Sequence, residues 1–171
     1  MPRVTLDLNT DADKQLVKGT WRFGSGFVPG EPNQGLVPEI KGSDARLKDY
    51  DTSAWPEVAD IRAATSIGFT FGWYRMEVEL PTQVCGMEVA GSRVWFETNV
   101  DNYGEIWIDG VIDEAAGMIV GNNVPRRVEM QRVGEPGTKF SIAVLVVNGP
   151  LAEPRGTIFM RFAYLVFETP S

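Results

Sequence analysis

The chain has 171 residues, of which 43% are hydrophobic, and its formal net charge is −7 at pH 7. This hydrophobic share excludes a globally disordered chain, and the length is ordinary for one domain, residues 1–171. The negative charge repels phosphate backbones and anionic membrane surfaces, so we expect no nucleic-acid and no membrane partner. Its 18 glycines and 11 prolines lie between short apolar runs, which favours many turns and an all-β chain.

The chain contains no histidine and one cysteine, Cys85. Histidine-dependent catalytic triads, histidine or thiolate metal sites and an internal disulfide are therefore excluded. Acid–base chemistry would have to use Asp, Glu, Tyr, Lys or Arg, and a bound metal would be a hard ion such as Ca²⁺. The opening residues MPRVTLDLNT contain no apolar signal core, so the expected location is the cytoplasm.

The first half of the chain predicts strands separated by polar turns. Residues 4–8 alternate as a strand, Asn9, Thr10 and Asp11 are placed to cap a short helix over 12–17, and 19–23 predict another strand. Residues 24–42 are rich in Gly and Pro and predict a long loop, of the kind that often carries function. A further strand lies within 66–80. One face of it is apolar (Tyr74, Met76, Val78 and Leu80), and the other carries Trp73, Arg75, Glu77 and Glu79.

Residues 94–110 predict a β-hairpin with its turn at 101–104, where Asn and Gly supply the left-handed positions. The apolar face would contain Val94, Phe96, Thr98, Val100, Ile106 and Ile108. The opposite face would carry polar and aromatic side chains of both arms: Trp95, Glu97, Asn99, Glu105, Trp107 and Asp109. Beyond the hairpin, residues 126–131 and 158–168 predict strands, and 140–147 predict a strand buried on both faces. Many short strands and little helix predict a sandwich or barrel.

Four stretches occur in a familiar order: DYDTSAWPEV, GWYRMEVELP, VWFETNVDNYGEIWIDG and FSIAVLVVNGP. They resemble the sugar-binding jelly-roll domain of family 2 glycoside hydrolases, in which a D-x-S-x-W-P turn precedes a Y-R strand, a V-W-x-D/N-G hairpin and a V-x-N strand end. With LVKGTWRF, the chain is also similar to the N-terminal module of some bacterial gluconolactonase-like proteins, over residues 4–167.

These resemblances imply an antiparallel jelly-roll β-sandwich that is galactose-binding-domain-like. They also imply a mostly non-catalytic module that binds glycans and sometimes holds a structural Ca²⁺. The catalytic barrel of the hydrolases and the propeller of the lactonases have no counterpart in this sequence, so their activities are not implied. For calcium, the resemblance points to a late carboxylate, Glu168, with Asp51 or Asp7. The alternative is that these are uncommitted surface acids.

The predicted ligand-binding surface is the polar face of the central strands. Aromatic rings accept the C–H faces of sugars, and carboxylate, amide and guanidinium groups bind their hydroxyls. The candidates are Trp73, Arg75, Trp95, Glu97, Asn99, Tyr103, Glu105 and Trp107. The alternative is a solvated sheet face with ion pairs such as Arg75 to Glu97, or with its tryptophans buried beneath the long loop.

Two other functions remain open. In a small cofactor-independent enzyme of isomerase, cyclase or lyase type, Glu97 and Glu105 would be held close together, with Asp101 as a partner, so that one carboxyl would have a raised pKa. In an interaction domain, a sheet face would form a homodimer. No organic cofactor is expected in any of these cases.

Overall fold

The computed structural model describes residues 2–25, 44–63, 66–67, 71–100, 103–121, 123–147 and 157–169. The helix α1 (Asp11–Leu16) follows the first strand, and a 3-10 turn (Asp44–Arg46) precedes the third. The strands are β1 (Arg3–Asp7), β2 (Trp21–Ser25), β3 (Glu57–Val58), β4 (Ser66–Ile67), β5 (Phe71–Glu79), β6 (Gln83–Val84), β7 (Met87–Glu88), β8 (Arg93–Val100), β9 (Tyr103–Ile108), β10 (Val111–Ile112), β11 (Met118–Val120), β12 (Arg126–Gln131), β13 (Lys139–Val147), β14 (Thr157–Ile158) and β15 (Met160–Glu168).

Two sheets of antiparallel strands form the sandwich. Sheet A has the order β1-β15-β8-β12, and sheet B has the order β10-β9-β13-β5-β2-β3, with β11 also paired to β9. Two-stranded ribbons, β14-β4 and β6-β7, lie beside them. The predicted all-β antiparallel sandwich is confirmed, as are the strands at the start of the chain, within 66–80, and over residues 126–131 and 140–147.

The core lies between the two sheets because alternate residues of each strand point to the same side. Trp21, Tyr74, Phe96 and Phe167 are its largest fully buried side chains, and burying one such side chain contributes roughly 1.5–3 kcal/mol. The polar atoms of two of them have partners: Trp21 Nε1 donates to the carbonyl of Leu8 at 2.9 Å, and the Tyr74 hydroxyl donates to a backbone carbonyl at 2.9 Å.

Helix α1 begins where the sequence predicts it. Thr10 is the N-cap, and its side chain accepts a hydrogen bond from the backbone N–H of Asp13, which satisfies one of the free donors of the first turn. Asp11 and Asp13 add negative charge to that turn, where the helix dipole stabilises it. The predicted long loop falls mainly on residues 26–43, which lie outside the described ranges.

The predicted hairpin over residues 94–110 is wrong. Strand β8 pairs with β15 and β12 in sheet A, whereas β9 pairs with β13 in sheet B. The chain therefore changes sheets between Val100 and Tyr103. The residues that face the core are nevertheless those that the pattern predicts. Alternation shows which side chains point inward, and it is the same whether two strands pair within one sheet or face each other across the core.

Residues 44–56, here called the cap segment, pack on the outer face of sheet B. A second apolar cluster joins Ala45 and Trp55 of the cap segment to Trp73 of β5 and Ala143 of β13. Tyr50, Trp107 and Leu145 pack against this cluster. The cap segment explains why β13 is apolar on both of its faces. One face packs against the core, and the other lies beneath the cap segment.

Candidate functional site

The structure divides the predicted ligand-binding surface between two outer faces. Trp95, Glu97 and Asn99 belong to β8 in sheet A. The remaining five candidates belong to β5 and β9 in sheet B, where β13 lies between those two strands: Trp73, Arg75, Tyr103, Glu105 and Trp107. The two groups point away from each other with the core between them, so they do not form one site.

On the outer face of sheet A, Arg127 of β12 joins two carboxylates. Its guanidinium lies 3.2 Å from Glu97 and 2.7 Å from Glu168, and its Cζ lies 3.9 Å from the ring centroid of Trp95. Glu97 also pairs with Arg3 at 2.8 Å, and Glu168 accepts a hydrogen bond from Trp95 Nε1 at 3.1 Å. Contact with the Arg127 guanidinium is the main cause that lowers the pKa of Glu168. Each charged side chain of this network therefore has an oppositely charged partner.

Two further sequence hypotheses fail on this face. Glu97 pairs with Arg3 and Arg127, so the expected ion pair between Arg75 and Glu97 is wrong. Asn99 is 2% exposed, and its Nδ2 donates to Oδ1 of Asn123 at 2.6 Å. Asn99 is thus covered in this structure and does not present its amide to solvent.

On the outer face of sheet B, Arg75 is 4% exposed and holds the cap segment. It donates to the carbonyls of Ala45, Leu47 (2.6 Å) and Lys48 (3.1 Å), and to the hydroxyl of Ser141 at 2.6 Å. Burial lowers its pKa, and the nearby Glu77 carboxylate opposes that shift. These contacts make Arg75 an anchor for the cap segment.

Trp73 is 3% exposed and lies beneath the cap segment beside Trp55. Trp73 is therefore buried, but by the cap segment; the long loop that the sequence-based alternative placed over the tryptophans lies mainly outside the described residues. The D-x-S-x-W-P turn of the sequence has a structural role here, because it places Trp55 against Gly24 of β2. The same covering removes Trp73 from any open dimer surface.

Glu105 is held by its own strand. Its two oxygens accept hydrogen bonds from the Tyr103 hydroxyl at 2.8 Å and from Trp107 Nε1 at 2.9 Å. Burial, followed by the hydrogen bond to Glu105, raises the pKa of Tyr103. Because Glu97 and Glu105 lie on opposite outer faces, the predicted catalytic pair is wrong. The third candidate, Asp101, lies outside the described residues.

The predicted calcium ligands are separated in the same way. Glu168 lies on the outer face of sheet A, whereas Asp51 lies in the cap segment over sheet B. Asp51 accepts a hydrogen bond from the backbone N–H of Ser53 at 2.8 Å, and hydrogen bonds from Ser53 lower its pKa. Within the described ranges, no three Asp, Glu or Cys side chains are grouped to hold an ion, and Glu168 and Asp51 do not come together.

A polar groove, here called the cap groove, runs between the cap segment and strands β2, β5 and β13. It consists of two cavities. The larger, of about 570 Å³, is lined by Lys18, Thr20, Arg22, Asp49, Tyr50, Asp51, Thr52, Ser53, Arg75, Met76 and Glu77. The smaller, of about 310 Å³, is lined by Lys18, Lys48, Asp49, Glu77, Val78, Glu79, Lys139, Phe140 and Ser141.

The cations of the larger cavity have partners within the protein. Lys18 pairs with Glu79 at 2.5 Å, and Arg22 pairs with Glu57 at 2.8 Å, while Arg75 is bound to the cap carbonyls. Two carboxylates differ from them: Asp49 and Glu77 are exposed, and neither makes a hydrogen bond or an ion pair with any residue that the structure describes. The groove therefore offers acceptors that are free to bind a ligand.

Sequence reasoning missed most of this groove. Of its lining, Arg75 and Glu77 belong to the polar face that the sequence predicts to bind a ligand, and Asp51 was a candidate for a metal ligand. The signal that could have found it is the run KDYDTS at residues 48–53. There, two acids and two hydroxyl side chains surround Tyr50 in a turn that the D-x-S-x-W-P motif attaches to a sheet. Which strands lie beneath the turn follows only from the fold.

None of the helical segments in the described part of the chain has the length and hydropathy needed to cross a membrane. No protein-family model and no curated protein sequence matches the chain.

Solved structures do match the fold. A β-glucuronidase of Bacteroides uniformis is 17% identical with a TM-score of 0.64, over 97% of this chain and 18% of that one. A β-glucuronidase from glycoside hydrolase family 2 is 17% identical with a TM-score of 0.62, over 98% and 18%. A Faecalibacterium prausnitzii β-glucuronidase is 14% identical with a TM-score of 0.58, over 99% and 32%. The chain thus spans a small part of these proteins, and it shares that part's fold, as the resemblance to family 2 implies.

Proposed function

We propose that this chain is a carbohydrate-binding β-sandwich module that holds its ligand in the cap groove. The observation that carries the proposal is the combination in one groove of an aromatic ring, Tyr50, with two exposed carboxylates, Asp49 and Glu77, that have no described partner. The exposed Thr20 and Ser53 add side-chain hydroxyls to the same wall.

These groups match the chemistry of a sugar. A carboxylate accepts hydrogen bonds from sugar hydroxyls, and such charge-assisted bonds are about twice as strong as neutral ones. Tyr50 is half-buried between Trp55, with ring centroids 5.8 Å apart, and Arg75, whose Cζ lies 5.9 Å from its centroid. An aromatic ring held in this way binds without losing much side-chain entropy.

The cap groove is a better candidate than the tryptophan-lined face that the sequence favours. Trp73 is covered by the cap segment, and Trp95 lies against Arg127. Glu97 and Glu105 already bind side chains of the protein. A ligand on those surfaces would have to replace existing contacts, whereas a ligand in the groove would meet Asp49 and Glu77 directly.

The fold supports the same proposal. Several solved structures that share it are β-glucuronidases, and one of these is described as from glycoside hydrolase family 2. The sandwich thus occurs within enzymes that act on carbohydrates. Because the groove is open and polar, we expect affinities between the millimolar and micromolar ranges, about −4 to −8 kcal/mol.

Titration calorimetry against a panel of soluble sugars, preceded by a glycan array, tests the proposal. We expect binding by the intact chain that falls about tenfold or more in Glu77→Gln. Glu114→Gln is the matched control, because Glu114 is exposed but lies outside the groove lining. Binding that both variants weaken equally, or an array without any bound glycan, would contradict the proposal.

A further inference from the structure

We infer that the cap groove selects a neutral glycan of two or more sugar residues and rejects acidic ones. This inference rests on the proposed function and narrows its ligand class. It follows from two independent properties of the groove, its length and the pairing of its charges.

The length follows from how the two cavities meet. Lys18, Asp49 and Glu77 line both of them, so the cavities of about 570 and 310 Å³ adjoin along these three residues. Each volume lies in the range of about 300–1,000 Å³ that is typical of small-molecule sites. A single sugar ring in one cavity would leave the other empty, whereas an oligosaccharide would occupy both.

The preference for a neutral ligand follows from the basic side chains. A uronate carboxylate is bound best by a free guanidinium or ammonium group. Each basic group that lines the groove has a partner in the protein with which a uronate would have to compete: Lys18 and Lys139 have Glu79 at 2.5 and 3.9 Å, Arg22 has Glu57 at 2.8 Å, Lys48 has Asp109 at 3.1 Å, and Arg75 has the cap carbonyls.

The two carboxylates without described partners lie where the cavities join. Asp49 and Glu77 would accept hydroxyl hydrogens from the sugars on both sides of a glycosidic bond. They would repel a carboxylate that entered the same place, because charges in direct contact are much closer than the screening length of about 8 Å at physiological ionic strength. Asp49 and Glu77 thus increase the affinity of the groove for neutral glycans and at the same time reduce its affinity for acidic glycans.

The test uses the full chain and a glycan array with neutral and acidic series of matched length. The neutral series are cello-, xylo-, manno- and galacto-oligosaccharides of one to four residues, and the acidic series is oligogalacturonate. Bound members are then measured by titration calorimetry. We expect affinity to rise about tenfold or more from the monosaccharide to the tetrasaccharide of a neutral series, with no binding of the acidic series.

The outcomes separate the two proposals. Equal affinity for a monosaccharide and its oligomers, or tighter binding of oligogalacturonate, overturns this inference and leaves carbohydrate binding in place. An array on which no glycan binds overturns the proposed function and the inference with it.

A charge-reversal variant gives a second test. In Glu77→Lys, we expect at least about a tenfold loss for neutral oligosaccharides and a gain of oligogalacturonate binding. Glu114→Lys, outside the groove, should change neither. Because Glu77→Lys places a second positive charge near the buried Arg75, the thermal unfolding midpoint is measured on the same samples, and Glu77→Gln repeats the test on neutral oligosaccharides without the added charge. Unchanged selectivity in a folded Glu77→Lys protein would refute the inference.

Discussion

Each outer face of the sandwich is organised around one arginine, and the two arginines have different roles. Arg127 on sheet A has a side chain that is 32% exposed and binds carboxylates of its own sheet. Arg75 on sheet B is 4% exposed and binds backbone carbonyls of a separate segment. The first closes a network within a face, and the second attaches a cap that leaves a groove at its edge.

The comparison shows why outward-facing polar residues are weak evidence for a binding site. On sheet A, the outward carboxylates are matched by cations from neighbouring strands, so the face has little binding capacity left. On sheet B, the guanidinium is occupied by carbonyls, and the carboxylates beside it keep their hydrogen-bonding capacity. Four predictions test this difference.

The largest effect is expected for Arg75→Ala. The substitution leaves three cap carbonyls and the Ser141 hydroxyl without their donor, and hydrogen bonds to charged groups contribute about 1.5–3 kcal/mol each. We expect the free energy of unfolding to fall by about 3 kcal/mol or more, measured by urea denaturation. Trypsin should also cleave faster after Arg46 or Lys48. Unchanged stability and cleavage would show that Arg75 does not hold the cap.

Gly24→Ala tests the packing of the cap segment at another contact, between Trp55 and strand β2. A Cβ on Gly24 would lie 2.9 Å from two ring carbons of Trp55, and Trp55 is only 3% exposed. Overpacking of this kind typically costs about 1–3 kcal/mol. Urea denaturation followed by tryptophan fluorescence should show lower stability and a shifted native spectrum. A native spectrum identical to that of the parent would mean that the cap adjusts freely.

Arg127→Ala is expected to cost less, about 1–2 kcal/mol, because its ion pairs are partly exposed and its stacking on Trp95 adds only a modest cation–π contribution. The loss should shrink as salt concentration rises, since salt screens exposed pairs. Carbohydrate binding should not change. A loss as large as that of Arg75→Ala, or one that does not depend on salt, would remove the distinction between the two faces.

The smallest effect is the pH dependence of Glu168. Its pKa in the folded protein is below its ordinary value of 4.5, first because of its contact with the Arg127 guanidinium. Its contribution to stability is therefore present above pH 4.5 and is lost as the pH falls through the lower folded-state pKa. Glu168→Gln should be less stable than the parent near neutral pH, and the difference should vanish in acid. Urea denaturation across this range would contradict the assignment if the difference grew in acid.

Much of the fold was predictable, because strand alternation is a local property. The inward positions of β5, β8 and β9 follow from the pattern of apolar residues, and Thr10 is recognisable as a helix cap from its neighbours in the chain alone. The pairing of β8 was not predictable, since a strand that joins its neighbour in a hairpin and one that crosses to the other sheet bury the same residues.

The candidate site was predicted less well for the same reason. Trp95 and Trp107 both point outward from their strands, and the assumption that β8 and β9 pair placed them on one surface. Arg75 was a sound candidate in chemical terms, but its partners lie about 30 residues away in the chain, in the cap segment. Glu77 already belonged to the predicted polar face, but Asp49 became a candidate only when the neighbours of every charged group were known.

The sequence by itself determined that the chain is a β-sandwich, that its core consists of the alternate apolar residues, and that its chemistry uses no histidine and no pair of thiols. Only the tertiary structure decided which outward residues meet. Backbone alternation is set by each residue and its immediate neighbours, whereas the environment of an outward side chain depends on which distant segment packs above it. For this protein, that segment buries Arg75 and Trp73 and leaves Asp49 and Glu77 open in the groove.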